Sequence, residues 1–219
     1  MRYNGDMSYS LPPPPDVLAG EMLPAAPQQA RSRSKREALL ESGLVLFAEL
    51  GYEATTIDAV AARAGIAVGG FYQHFSGKRQ LLLVLMQRLL AAADTLIAPP
   101  ASPPADARAA IETLVRAGLQ TDWAFAGAYR AWRELAARDA AIRTLDAAIE
   151  TWSDDRLALL LGGLRALPGA RAAIDLPMLA HLLSLLFWRL VERPETDPAV
   201  FERTVQTLTD LIARAVFEL

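Results

Sequence analysis

The stretch from Thr55 to Lys78, TTIDAVAARAGIAVGGFYQHFSGK, constrains the fold of this chain more than any other. Either Thr55 or Thr56 can cap a helix, and Asp58 supplies the acidic residue that helix starts favour. Apolar residues then recur at helical spacing. Gly65 interrupts this spacing where a residue in the left-handed conformation would let the chain turn. The pattern predicts a short helix followed by a tight turn.

A second short segment, residues 66–74, follows the turn. Phe71 and Phe75 are four residues apart, so they share one face and can pack against the first helix. A third helix begins near the end of the stretch. This arrangement is typical of a helix-turn-helix, in which one helix braces a second that faces outward.

The same residues closely resemble the DNA-binding motif of the TetR family of bacterial transcription regulators. The match consists of a turn glycine, an aromatic-rich recognition helix and a following lysine, at Gly65, Phe71, Tyr72, His74, Phe75 and Lys78. It covers roughly positions 33 to 82, and beyond them only the all-helical layout resembles the family.

The resemblance implies an all-α fold of about nine helices. A three-helix, helix-turn-helix DNA-binding domain would occupy residues 31–80, and a larger helical effector-binding and dimerisation domain residues 81–219. Residues 1–30 include a run of four prolines and show no sustained periodicity, so they are expected to form a disordered, Pro-rich extension.

Charge and composition narrow the function classes. The chain has a net charge of −3, whereas residues 31–80 carry a net charge of +2, which fits a local phosphate-facing surface. There is no cysteine, which excludes disulfides and thiolate metal sites. No metal site or cofactor is predicted. No segment is long enough to span a membrane and no signal peptide precedes the proline run, so we expect a cytoplasmic protein.

Contacts to DNA backbone are expected on both sides of the motif. Arg33 belongs to a basic run before the first helix. The resemblance places Tyr72, His74 and Lys78 at phosphates, and Thr55 or Thr56 offers a hydroxyl on the other side. The alternatives are core packing for Tyr72 and a hydrogen-bonded surface histidine for His74.

Base contacts would fall to Ala67, Val68, Gly70 and Gln73. Gln73 can pair bidentately with adenine, and Ala67 and Val68 can touch a thymine methyl group. The sequence departs from the family here, because Ser or Thr commonly stands at the position of Ala67 and Thr at that of Gly70. The recognition helix therefore lacks its usual cap, and we expect DNA shape and backbone contacts to contribute more to specificity.

Aromatic side chains with polar tips are spread over the C-terminal half. They either fill a helical core or line the effector pocket that the resemblance implies: Trp123, Tyr129, Trp132, Trp152, His181 and Trp188. The last two helices, about 176–192 and 198–217, are more apolar than a surface helix needs, and the resemblance implies that they pair with their symmetry mates in a homodimer.

Together with the resemblance, these patterns predict a ligand-responsive transcriptional regulator. It would bind an inverted-repeat operator on double-stranded DNA as a homodimer, act as a repressor and be released by a small apolar or aromatic effector. The alternative is a helical ligand-binding or interaction module whose DNA binding is weakened or lost. The sequence contains none of the common catalytic motifs, so an enzyme is not predicted.

Overall fold

The computed structural model describes residues 12–24, 28–96, 106–165, 167–171, 173–192, 194 and 197–218. Within these ranges the chain forms nine α-helices, which confirms the predicted all-α fold. They are α1 (Ala30–Ala54), α2 (Ile57–Arg63), α3 (Val68–Tyr72), α4 (Lys78–Leu96), α5 (Ala107–Ala124), α6 (Ala126–Ala136), α7 (Ala140–Leu164), α8 (Leu176–Val191) and α9 (Pro198–Val216).

Side-chain caps fix where most of these helices begin. Thr56 accepts a hydrogen bond from the backbone N–H of Ala59 at the start of α2. Aspartates do the same for α5, α7, α8 and α9, namely Asp106, Asp139, Asp175 and Asp197. Proline closely follows the last two aspartates, at the first or second position of each helix.

Gly51 breaks α1 near its C-terminal end. Its φ of 80° is left-handed, and one further helical turn follows it to Ala54. The kink brings Tyr52 back onto the core, where its ring stacks on that of Phe47 with 5.9 Å between centroids. Gly51 therefore bends α1 sharply without ending it.

The larger hydrophobic core joins α1–α4 to α6 and the first half of α7. Phe47, Phe71 and Leu82 of the N-terminal part lie in the same buried cluster as Trp132 and Trp152. The packing therefore continues across residue 80, the boundary that the sequence suggested between two domains. A second cluster fills the space among α5, the end of α7, α8 and α9.

Residues 12–24 differ from the prediction of a disordered extension. Val17 is buried in the larger core and its N–H donates to Gln87 Oε1 at 3.2 Å. Glu21 pairs with Arg79, and the Pro12 carbonyl accepts a hydrogen bond from Trp152 Nε1. The segment runs along α4 because one apolar side chain and several backbone groups find partners there. Residues 1–11 and 25–27, which belong to the same prediction, lie outside the described residues.

In the described part of the chain, no helix is both long and apolar enough to cross a membrane.

Candidate functional site

The predicted helix-turn-helix is present, and its second helix is very short. Gly65 has a φ of 66° in the turn, and the Ile66 N–H donates back to the Ala61 carbonyl at 2.9 Å. Helix α3 then runs only from Val68 to Tyr72. Phe71 is fully buried beneath it, so the opposite face of α3 is presented outward.

We call five exposed residues in and near α3 the recognition surface. They are Thr56, Ala67, Val68, Tyr72 and Gln73. Tyr72 packs edge-on against Phe71 and still exposes 53% of its surface. The Thr56 hydroxyl accepts from Ala59 N–H, which leaves its own hydrogen free to donate to a phosphate. Gly70 is only partly exposed and lies against Ile66.

The missing cap that the sequence suggested is confirmed. Ala67 occupies the N-cap position of α3 and provides no side-chain hydrogen bond. A five-residue helix without a cap has few hydrogen bonds of its own, so its geometry depends on the packing of Phe71.

Thr55 is fully buried, which corrects its assignment as a DNA contact. Its hydroxyl donates to the Gly51 carbonyl at 2.6 Å and lies 3.2 Å from the Leu46 carbonyl. Its role is to close the end of α1 after the kink. Thr56, the neighbouring alternative, is the threonine that faces outward.

His74 is also buried, contrary to its assignment as a phosphate contact. Burial and the nearby Arg36 and Lys35 lower the pKa of its imidazole, so it is neutral at pH 7. Arg36 donates to the His74 carbonyl at 3.3 Å and stacks over the Phe75 ring at 4.6 Å. This group joins α1 to the end of α3.

The Lys78 side chain is bound to backbone groups of this protein and does not point outward. Its ammonium donates to the carbonyls of Tyr52, Glu53 and Thr55 at 2.8, 3.0 and 3.2 Å. It also lies 4.5 Å from the centroid of the Tyr52 ring. All three of its donors are therefore used at the C-terminal end of α1, and the expected phosphate contact is not available in this conformation.

Basic residues occupy the start of α1, where the helix dipole disfavours them. Arg31, Arg33 and Lys35 are exposed, and no acidic residue lies in the first turn. Arg33 donates to the Gln28 carbonyl through one nitrogen. The rest of its guanidinium remains available to an anion.

A cavity of about 410 Å³ lies among α4–α9. Leucine and other apolar side chains form most of its wall, and the polar groups are few. They belong to Thr121, Asp122, Tyr129, Ser153 and Ser184, together with the indoles of Trp152 and Trp188. A largely apolar cavity with a few polar anchors has the usual features of a small-molecule site.

The structure divides the six predicted effector residues into two groups. Tyr129, Trp152 and Trp188 line the cavity.

Trp123, Trp132 and His181 do not, because each has a partner elsewhere. Trp123 donates to the Leu190 carbonyl at 3.1 Å, and Trp132 is fully buried with its indole N–H 2.8 Å from Asp146. The half-exposed His181 contacts Asp154 at 2.8 Å. These three residues are therefore not part of the wall of this cavity.

Asp122 is a cavity residue that the sequence analysis missed. Burial raises the pKa of its carboxyl to about 7. The sequence spacing could have indicated this position. Ile111, Val115, Gly118 and Asp122 are spaced to share one face of α5, and all four line the cavity. An acid that continues an apolar helical stripe is either solvated at the helix end or placed in the protein interior, and here it is partly exposed on the wall of the cavity.

Glu134 is a second residue that sequence reasoning missed. Its carboxylate accepts from the Tyr52 N–H at 2.7 Å, beside the Gly51 kink. Helix α6 approaches α1 so closely at Gly127 that a Cβ there would lie 2.1 Å from the Leu44 carbonyl. Since α6 also carries Tyr129, one helix connects the cavity wall to the end of α1.

Comparisons with known proteins agree with this geometry. Residues 39–85 match the family model described as bacterial regulatory proteins of the tetR family. The Transposon Tn10 TetC protein of Escherichia coli is 37% identical over 70 residues, which are 32% of this chain and 36% of TetC. The chain thus aligns with only about a third of the length of that relative.

Solved structures match over most of the chain. The ketosteroid transcriptional regulator KstR2 of Mycobacterium tuberculosis has a TM-score of 0.64 at 20% identity, covering 87% of this chain and 98% of KstR2. A putative regulator from Saccharomonospora viridis, solved in complex with choline, has a TM-score of 0.66 at 23% identity, covering 85% and 100%. At these identities the likeness shows a shared fold. The family match itself rests on residues 39–85, within the first four helices, where the chain has the motif of the tetR family of bacterial regulatory proteins.

Proposed function

We propose that the chain is a DNA-binding transcriptional regulator that acts as a homodimer, represses its target and releases DNA when a small molecule fills the cavity. The observation that carries this proposal is the recognition surface, an exposed set of side chains held outward by the buried Phe71. We retain the functional division into residues 31–80 for DNA and 81–219 for effector and dimer, although the core is continuous across it.

On DNA, α3 would enter the major groove. Gln73 would pair with adenine, and Val68 and Ala67 would lie against thymine methyl groups. Tyr72 and Thr56 would donate to phosphates, and Arg33 would supply a charge at the edge of the site. The buried residues Thr55 and His74, with Lys78, would position these groups without touching DNA.

The homodimer is supported by an apolar face on α8 that has no cover within the described chain. Met178, Leu182, Leu185 and Leu186 are all substantially exposed, and their spacing places them on one side of the helix. Leu211 of α9 is exposed as well. A two-fold pairing of α8 and α9 with their copies would bury these residues and present two recognition surfaces to two half-sites.

Two helices supply the coupling between cavity and DNA. Helix α4 lines the cavity with Leu89 and Leu90 and holds the end of α1 through Lys78. Helix α6 lines it with Tyr129 and holds the same end through Glu134. A ligand that displaces either helix would move α1 and the recognition surface attached to it, so ligand and DNA would favour different arrangements.

The test is a selection of bound duplexes from random DNA, with the mass of the protein in solution measured in parallel. We expect an enriched inverted repeat and a dimeric mass. As a matched control, a Gln73→Ala, Tyr72→Ala double variant should keep the dimeric mass and lose the enrichment.

No enrichment from a well-folded dimer would contradict the DNA-binding proposal and favour a ligand-binding module that has lost its operator. Enrichment by a monomer would instead contradict the homodimer. Placing the selected sequence ahead of a reporter promoter then tests the sign of regulation, since deletion of a repressor raises expression and deletion of an activator lowers it.

A further inference from the structure

The charge lining the cavity is of one sign. Among the described residues of its wall, Asp122 is the sole carboxylate, and none is lysine, arginine or histidine. Tyr129 is the other titratable group there. Burial and the nearby Asp122 and Asp146 raise the pKa of its phenol far above the usual range, so it stays neutral.

The Asp122 carboxyl has no hydrogen-bond or ion-pair partner in the part of the chain that the structure describes. Two of the charged side chains on neighbouring helices are already paired. Arg156 pairs with Asp94, and Arg133 lies 3.2 Å from Asp146. A buried acid without a partner lowers the stability of the protein, and a partner of opposite charge removes that cost.

Aromatic rings share the cavity with this acid. Tyr129 and Trp188 meet edge to face with centroids 4.8 Å apart, and Trp152 lines the same space. Ring faces attract cations, most strongly where water is excluded. Leucines such as Leu160 and Leu183 provide the remaining wall, which suits an aliphatic or aromatic body.

We propose that the cavity binds an organic cation with an apolar body, and that Asp122 is the residue that recognises its positive charge. This rests on the proposed function, in which the cavity holds the effector, and it narrows the ligand class from apolar molecules in general to cationic amphiphiles such as amines and quaternary ammonium compounds. A ligand carboxylate would meet a like charge, and a neutral ligand would leave the acid without a counter-ion.

Three probes that share one carbon skeleton test the charge preference directly: 4-phenylbutylamine, 4-phenylbutan-1-ol and 4-phenylbutanoate. Their binding to the DNA-free protein is measured by isothermal titration calorimetry at pH 8, where the amine is charged and the Asp122 carboxyl is ionised. We expect the amine to bind roughly tenfold to a hundredfold tighter than the alcohol, the range of a charge-assisted hydrogen bond, and the carboxylate to bind most weakly.

The Asp122→Asn variant should lose that preference. Its affinity for the amine should fall by roughly the same factor, while its affinity for the alcohol stays within about twofold. Asp155→Asn removes the same charge from an exposed position of α7 and should change neither value. Circular dichroism of both variants checks that they are folded.

Equal binding of amine and alcohol by the unaltered protein would overturn the proposal, as would an unchanged amine affinity in Asp122→Asn, tightest binding of the carboxylate, or no binding of any probe. Operator release is measured separately with the selected DNA. If the amine preference holds but no DNA binds, the regulator function fails and the ligand assignment stands. If DNA binds but the amine preference is absent, the ligand assignment fails and the regulator function stands.

Discussion

The Glu134 carboxylate of α6 accepts a hydrogen bond from the backbone N–H of Tyr52 at 2.7 Å, directly after the residue at which α1 bends. The ammonium of Lys78 binds the carbonyl of the same Tyr52 at 2.8 Å. The backbone N–H and carbonyl of Tyr52 are thus both bound by side chains from two of the helices that line the cavity, α6 and α4. The C-terminal end of α1 therefore links the cavity to the recognition surface, which are the proposed effector and DNA sites.

Glu134→Ala should destabilise the protein and weaken the coupling between the two sites. Tyr52 is buried, so an unpaired N–H there costs about 1–3 kcal/mol of unfolding free energy. Urea unfolding measures that loss, and DNA affinity with and without bound ligand measures the coupling. Glu134→Gln is the matched control, because its amide oxygen can still accept the bond. Equal stability of the alanine variant and the unaltered protein would remove this contact from the coupling route.

Lys78 and Arg33 should affect DNA binding in different ways. Lys78→Met keeps the aliphatic stem and removes an ammonium that is bound to three carbonyls. It should lower stability by about 1–3 kcal/mol and leave the salt dependence of DNA binding unchanged. Arg33→Met should lower the slope of log affinity against log salt concentration by about one per protomer and leave stability unchanged. A reduced slope in Lys78→Met would return that lysine to the phosphate contacts.

Gln73→Ala should alter specificity more than affinity for random DNA. Gln73 is exposed at the end of α3, where its amide can pair with an adenine. We expect discrimination at one base pair per half-site to fall by about 1–3 kcal/mol, measured by titrating a panel of single-base operator variants. Tyr72→Phe, which removes only a hydroxyl, serves as the comparison and should weaken all sequences alike. A uniform loss in Gln73→Ala would show that Gln73 does not contact a base.

Much of the fold followed from local patterns. Apolar spacing and the aspartate caps at Asp175 and Asp197 are short-range features, so the helices they mark were predictable. The outward position of Gln73 and the burial of Phe71 followed from helical periodicity. These features depend only on residues within about one or two turns of each other.

The errors concern residues whose environment is set by distant parts of the chain. Thr55 and Thr56 look equivalent as helix caps, and only the Gly51 kink 4 residues earlier decides which of them is buried. The Lys78 ammonium donates to backbone carbonyls that lie 23–26 residues away in the chain. Among the described residues, the wall around Asp122 contains no lysine, arginine or histidine that could pair with it. Such tertiary relationships leave no periodic signal in the sequence.

Leu182→Glu should dissociate the proposed dimer. Leu182 exposes 55% of its surface on the apolar face of α8. Each protomer would lose a buried leucine, so we expect dimerisation to weaken by roughly 3–6 kcal/mol in total. Leu50→Glu, at a similarly exposed position of α1 (46%), is the control. Analytical ultracentrifugation over a range of concentrations distinguishes them, and an unchanged dimer in Leu182→Glu would place the interface elsewhere.

Asp122→Asn should stabilise the ligand-free protein in a manner that depends on pH. Burial raises the pKa of this carboxyl to about 7, above its value in an unfolded chain, so the folded state binds a proton that the unfolded state has released. The unaltered protein therefore loses stability as pH rises from about 4 to about 7, and the loss is constant above that range. Asparagine has no charge to desolvate, so the advantage of the variant should grow over the same interval and then level off. The melting temperatures of both proteins between pH 5 and pH 9 measure this difference, and the variant should lead by about 4 °C or more at pH 8. A constant difference across that range would mean that Asp122 is solvated or paired, because its titration would then no longer reduce the stability of the folded state as pH rises.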